Sequence, residues 1–209
     1  MRSVPRALAA FVVIPIVTAV GCESSTVSEP SARPGIQPSA ARENGVVLNS
    51  SGGGHYLLQN TFDVQFAYTA KQHTDGTVQG KFHESLVDDG ETIAFTGDVI
   101  CMAVDPVEHH AWIGAVITEN NSTHPDFQQW YHQPGEDVWF RVVDYGEGSA
   151  KPPDRKTFMG FENTPGIPTS EVYCQLQIWP ADDARTWPVT AGNIQVRPSV
   201  EEEGGGDPL

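Results

Sequence analysis

Positive charge is scarce in this chain: 12 Lys and Arg stand against 27 Asp and Glu, for a formal net charge of −15. That deficit leaves no electrostatic grip on nucleic-acid phosphates or on anionic headgroups, so neither is an expected partner. Its plain consequence is solubility. Long apolar runs are also missing. A spanning helix needs about 20 apolar residues, and the run from Ala7 to Val20 falls short and carries Pro15. Catalytic signatures are absent as well: no GxSxG elbow, no HExxH or CxxC spacing, no EF-hand loop. The expectation is a non-enzymatic chain with no cofactor and no metal. Cysteine is reduced to Cys22, Cys101 and Cys174, so any disulfide leaves one thiol over.

What is present begins with Arg2 and Arg6, the apolar run, and then Ala19-Val20-Gly21-Cys22. A short basic segment, an apolar segment and small residues make an export signal over 1–21, outside the fold. Ala19 and Gly21 suit ordinary signal peptidase. The same quartet also resembles the lipobox of bacterial lipoproteins, with Ala19 where Leu is more usual. That resemblance implies a lipid on Cys22 and membrane attachment through it. Glu23, not being Asp, implies sorting to the outer membrane in a Gram-negative envelope. The cysteine count favours lipidation, because pairing Cys101 with Cys174 leaves Cys22 to be explained. Residues 22–45 are rich in Ser, Pro, Ala and Glu and read as a disordered tether, and 199–209 as a disordered acidic tail.

The remaining segment, 46–198, is long enough for one domain with a core. Glu91 to Val104 is its longest strand-like run. Ile93, Phe95, Val99 and Cys101 share one face at period two, with Gly97 between them. Glu171 to Trp179 repeats the pattern, with Val172, Cys174, Leu176 and Ile178 on one face. Both cysteines then lie on apolar strand faces. In an exported chain this predicts a buried Cys101–Cys174 disulfide between strands or sheets. Ser51 to Gly54 reads as a flexible lead-in to a short strand, His55 to Leu58. Thr61 to Gln72 and Thr77 to Ser85 form a hairpin. For its apolar faces to coincide, the loop must be Thr74-Asp75-Gly76, with Gly76 left-handed, Tyr68 opposite Phe82 and Ala70 opposite Gly80. His110 to Glu119 is apolar on both faces and predicts a strand covered on both sides. Val138 to Tyr145 and Thr190 to Arg197 are further strands. Gly146 to Gly166 and Pro180 to Pro188 read as loops, and no amphipathic helix is evident. The fold class is therefore all-β: a single antiparallel β-sandwich or closed β-barrel of about eight strands with one disulfide. Pairing of the last strand with the first would close a barrel.

Candidate sites are few. Asn120 to Asp137 is a long loop in which His124, Phe127, Trp130, Tyr131 and His132 stand among polar residues. Exposed, these five are candidate ligand-binding residues for a glycan, a peptide or an envelope protein; packed down, the aromatics would cap the open end of the fold. Asp144, Glu147 and Asp154 cluster carboxylates on a Gly-rich loop, as a hard cation would require or as a solvated turn would allow. Adjacent His109 and His110 point to opposite faces of an extended chain and are poorly placed to share an ion. Glu84 and Asp98 are carboxylates that only folding could pair. The run Asp137 to Gly148 (DVWFRVVDYGEG), then Pro153-Asp154-Arg155 and Tyr173-Cys174, resembles exported bacterial β-proteins that carry no assigned activity. The expected function is a cell-envelope lipoprotein with a binding or structural β domain. The alternatives are a small-ligand carrier with a barrel cavity, and an envelope hydrolase with a carboxylate or histidine site.

Overall fold

The computed structural model describes residues 45–178 and 185–198. The expected leader, the tether up to residue 44 and the tail, with Cys22, lie outside the described residues. Five strands, β1 (Val46–Leu58), β2 (Phe62–His73), β3 (Val78–Asp88), β4 (Glu91–Asp105) and β5 (His110–Asn120), run as an antiparallel meander. They are followed by β6 (Asp137–Val143), β7 (Arg155–Thr157), β8 (Gly160–Phe161), one helix α1 (Ser170–Leu176) and β9 (Thr186–Pro198). β6 pairs with β5, β7 bridges β6 and β9, and β9 pairs with β1. Eight strands thus close into a ring, while β8 extends the pairing along β6. Of the two all-β forms the sequence allows, the chain adopts the closed one.

The alternation of β2 and β3 sets the inside of the ring. Tyr68 lies opposite Phe82 and Ala70 opposite Gly80, with Gly76 at φ +84°, as the hairpin argument requires. The inner face carries Tyr56, Val64, Phe66, Tyr68, Phe82, Phe95, Ile113 and Phe140, all buried. Their rings touch: Tyr68 and Phe140 are 5.3 Å apart between centroids, Phe95 and Phe161 5.5 Å, Tyr56 and Phe66 5.9 Å. A ring of about eight strands is just wide enough for side chains to fill or for one small ligand to enter. β5 is buried on both faces, with Ala111, Ile113, Ala115 and Ile117 inward and Trp112 outward under α1.

Several expectations are corrected. Ser51 to Gly54 is no flexible lead-in but the middle of β1, paired on both sides. A Cβ at Gly52 would meet the Tyr68 ring at 2.8 Å, so the small residues make room for interior aromatics. Cys101 does not share the face of Ile93, Phe95 and Val99. A bulge between Val99 and Cys101 reverses the phase, so Met102 joins the core and Cys101 turns outward. Of the span expected as a strand from Glu171 to Trp179, the part from Glu171 to Leu176 belongs to the helix α1, the amphipathic element the sequence hid. Thr169 accepts a hydrogen bond from Val172 N and caps it, and Gln177 ends it in the left-handed conformation. Its buried residues Ser170, Tyr173 and Cys174 follow helical spacing, while Leu176 is exposed. Finally, Gly146 to Gly166 contains β7 and β8, and β9 begins at Thr186 within the expected loop.

The Cys101–Cys174 disulfide forms, but it joins the outer face of β4 to α1 rather than two strands. Around it, Ser170 Oγ lies 2.9 Å from Ala115 O and 3.0 Å from Val138 O, and Trp112 Nε1 donates to Ile178 O at 2.9 Å. Tyr173 stacks on Trp139 at 5.7 Å. A Cβ at Gly114 would stand 2.5 Å from Cys101 Sγ, so that glycine is what lets the helix lie flat on the barrel.

The pairing also orders the two ends of the ring. Gly45 O accepts from Thr74 N, and Leu48 pairs with Pro198, so the chain enters and leaves at the His73–Thr77 end. The β3–β4 turn and the β5–β6 loop lie at the other end, joined by His124 and Asp88 at 3.7 Å.

Candidate functional site

The β5–β6 loop is built as a plug for that second end. It first runs on beside β4: Asn121 N donates to Ala94 O, Thr123 N to Thr92 O, and Thr92 N to Thr123 Oγ1. Two 3-10 turns follow, Pro125–Phe127 and Trp130–His132. The His124 side chain caps the first, accepting from Asp126 N, and proline opens it. One amide pins both turns, since Asn120 Nδ2 donates to Phe127 O and to His132 O at 2.9 Å each.

This backbone sends the five candidate residues in different directions. Phe127 packs against the core, 6.0 Å from Phe95 and stacked at 5.0 Å on His132. His132 is buried, 4.4 Å from both Tyr131 and Phe161. Tyr131 is half-buried on the same cluster. His124 faces Asp88 and Phe127. Only Trp130 stands out, 62% exposed with its edge on Tyr131. The loop is therefore a core cap that carries one presented aromatic. Phe127→Ala is expected to lower stability by about 3 kcal/mol, and Trp130→Ala to change it by less than about 0.5 kcal/mol. Urea titrations of the two variants check the difference.

Burial moves His132 from its ordinary 6.5 down to about 4. A histidine held neutral in the fold must take up its proton on unfolding, so it stabilises fully above about pH 6.5. That contribution is lost progressively as pH falls from 6.5 toward 4. Replacing His132 by Gln is expected to flatten the stability profile across that window, as read by denaturation midpoints from pH 4 to 7.

The carboxylate loop does a different job. Asp144 accepts from Val196 N and Gly146 N, and Asp154 from Ile194 N and Tyr145 N. Glu147 receives Asn193 Nδ2 at 2.8 Å. These acids clamp the chain after β6 to β9. Burial pushes Asp154 up, and its two backbone donors pull the other way. Among the described residues no group of three or more His, Cys, Asp or Glu gathers as a metal would need. Glu84 and Asp98 stand on opposite faces: Asp98 pairs outward with Lys81, and Glu84 points into the ring.

That inward acid is what the sequence reading missed. Glu84 contacts Lys156 Nζ, and both side chains are 1% exposed. Tyr56 Oη donates to Glu84 Oε1 at 2.7 Å. Lys156 also donates to Thr157 O at 3.0 Å and lies 4.3 Å above the Phe140 ring. Burial lowers Lys156 and raises Tyr56, each against its ordinary value. The signal was available: Glu84 has the parity of Phe82 and Leu86, so it had to face inward and find a partner. The short β7 has no such pattern to mark Lys156.

Outside the ring, a trough of about 640 Å³ crosses the outer face of β9, β1, β2, β3 and β4, lined in part by Ala67, Lys81, His83 and Gln195. Its polar groups are largely matched within the protein, Lys81 to Asp98 and His83 to Thr96. No protein-family model, no curated protein and no solved structure matches the chain.

Proposed function

We propose that this chain is an exported, lipid-anchored envelope protein whose β-barrel serves as a non-enzymatic binding or structural module. The observation that carries the reading is the Cys101–Cys174 disulfide. Such a bond persists in oxidising compartments and is rare in the cytosol. It commits two of three cysteines and leaves Cys22, inside a lipobox-like quartet, as the lipid attachment point at the outer membrane or cell surface.

The barrel's polarity adds to this. The described chain starts at Gly45 beside the His73–Thr77 turn, and Trp130 stands exposed at the other end of the ring. Trp130 offers a flat aromatic face beside the amides of the loop, a surface suited to a glycan, a peptide or another envelope protein. Aromatic side chains meeting inside the ring, and Asp144 and Asp154 bound to backbone N–H groups, support this reading over a small-ligand carrier or a hydrolase.

The test uses the full chain in intact envelopes. Cys22→Ser is expected to move the protein from the membrane to the soluble fraction, and unchanged membrane association sinks the anchor. A photo-crosslinking residue at position 130 is expected to give specific adducts that the same residue at Val107, at the opposite end, does not. Equal labelling at both ends removes Trp130 as the contact.

A further inference from the structure

The buried contact between β3 and β7 has the makings of a covalent bond. Glu84 and Lys156 come from strands that are not neighbours in the ring, and they meet inside it. Lys156 Nζ is in hydrogen-bond contact with Glu84 Oε2, so the carboxyl carbon is the next atom along. Tyr56 Oη holds the other oxygen, Oε1. The rings of Tyr56, Phe66 and Phe140 lie 5.5, 5.7 and 4.3 Å from Nζ and form the walls around it. In water an ammonium and a carboxylate stay apart as solvated ions. Here both have lost their solvent, and burial lowers the lysine against the pull of the carboxylate beside it. Two groups fixed in this way react with effective molarities of about 10⁵–10⁸ M where the alignment is good.

We propose that Lys156 and Glu84 join as an amide, Nζ to Cδ, forming a second covalent tie across the barrel. The step needs no oxidant, reductant or cofactor. A proton passes from the ammonium to Oε2 across their contact. The Nζ lone pair then forms the bond to Cδ, the Cδ–Oε2 bond breaks, and Oε2 leaves as water with that proton and a second one from Nζ. Oε1 remains as the amide carbonyl, with Tyr56 Oη donating to it throughout, so Tyr56 is a positioning residue. The tie joins residues 72 apart in sequence, and the disulfide joins residues 73 apart on the outer wall. One fastens the inside of the ring and the other its outside.

The test is the intact mass of the wild-type protein after full reduction. It is expected to be lighter by one water than its processed sequence. Digestion is expected to yield a branched peptide joining the Glu84 and Lys156 segments, with no tryptic cleavage after Lys156. Tyr56→Phe keeps the ring and removes the hydroxyl, and a fall in the cross-linked fraction is expected; an unchanged fraction would remove Tyr56 from the scheme. Lys156→Ala and Glu84→Ala restore the full mass if they fold, but the wild-type reading stands without them. Folded wild-type protein at full mass, with linear peptides only, overturns the proposal.

Discussion

Replacing Cys101 and Cys174 together by Ser is expected to lower the stability of the folded domain by about 4 kcal/mol, the chain-entropy value for a closure of this length, within an observed range of roughly 2–5 kcal/mol for native disulfides. The size follows from the long closure, and the place of the bond decides what loosens first. α1 is a seven-residue helix, well below the ~12–15 residues at which isolated helices begin to hold in water. Its cap, its Ser170 contacts and the Tyr173–Trp139 stack act only while the helix is docked. Removing the bond therefore loosens the outer wall of β4, β5 and β6 before the ring opens. Amide exchange is expected to quicken first in α1 and only later in the β2–β3 hairpin. A double variant with unchanged urea midpoint and unchanged exchange in α1 would show that packing alone holds the helix.

Lys156→Met is expected to cost about 3–5 kcal/mol, the usual penalty for leaving one partner of a buried charge pair without the other. Glu84 would keep the Tyr56 hydroxyl but lose its cation inside a sealed ring. The sign is the same whether the two groups meet as ions or as the amide proposed above, because the lysine is lost in both cases. Lys81→Met supplies the contrast. Lys81 also pairs with an acid, Asp98, but the two side chains are 72% and 51% exposed, and the cost is expected to stay below about 1 kcal/mol. Thermal or urea unfolding of the two variants side by side checks the difference. Equal, small effects would mean that the interior pair contributes little to holding the ring.

The parts of this fold that were legible in the sequence are those where one rule acts alone. The β2–β3 register follows from matching two apolar faces through one glycine turn, and β5 from a run that is apolar on both faces. Where two rules compete, the sequence misleads. Val172, Cys174 and Leu176 alternate as a strand would, yet Thr169 caps a helix whose buried side is Ser170, Tyr173 and Cys174. The alternation is too short to decide between the two periods. Cys101 keeps its parity on paper, but a single bulged residue turns it outward. Ser51 to Gly54 looks like a linker by composition, whereas the demand for room beside Tyr68 arises only once the strands are paired. The loop from Asn120 to Asp137 was visible as unusual, but which aromatics point inward depends on the Asn120 amide holding both turns. Lys156 is invisible because β7 has only three residues.

The central claim is a barrel that matures outside the cytoplasm, with one sulfur given to a lipid and two to each other. Intact-mass measurement of the protein extracted from envelopes, with and without reductant, tests it most directly. The account predicts a cleaved leader, acyl mass on Cys22 and no free thiol until the protein is reduced. An uncleaved leader carrying three free thiols would contradict it.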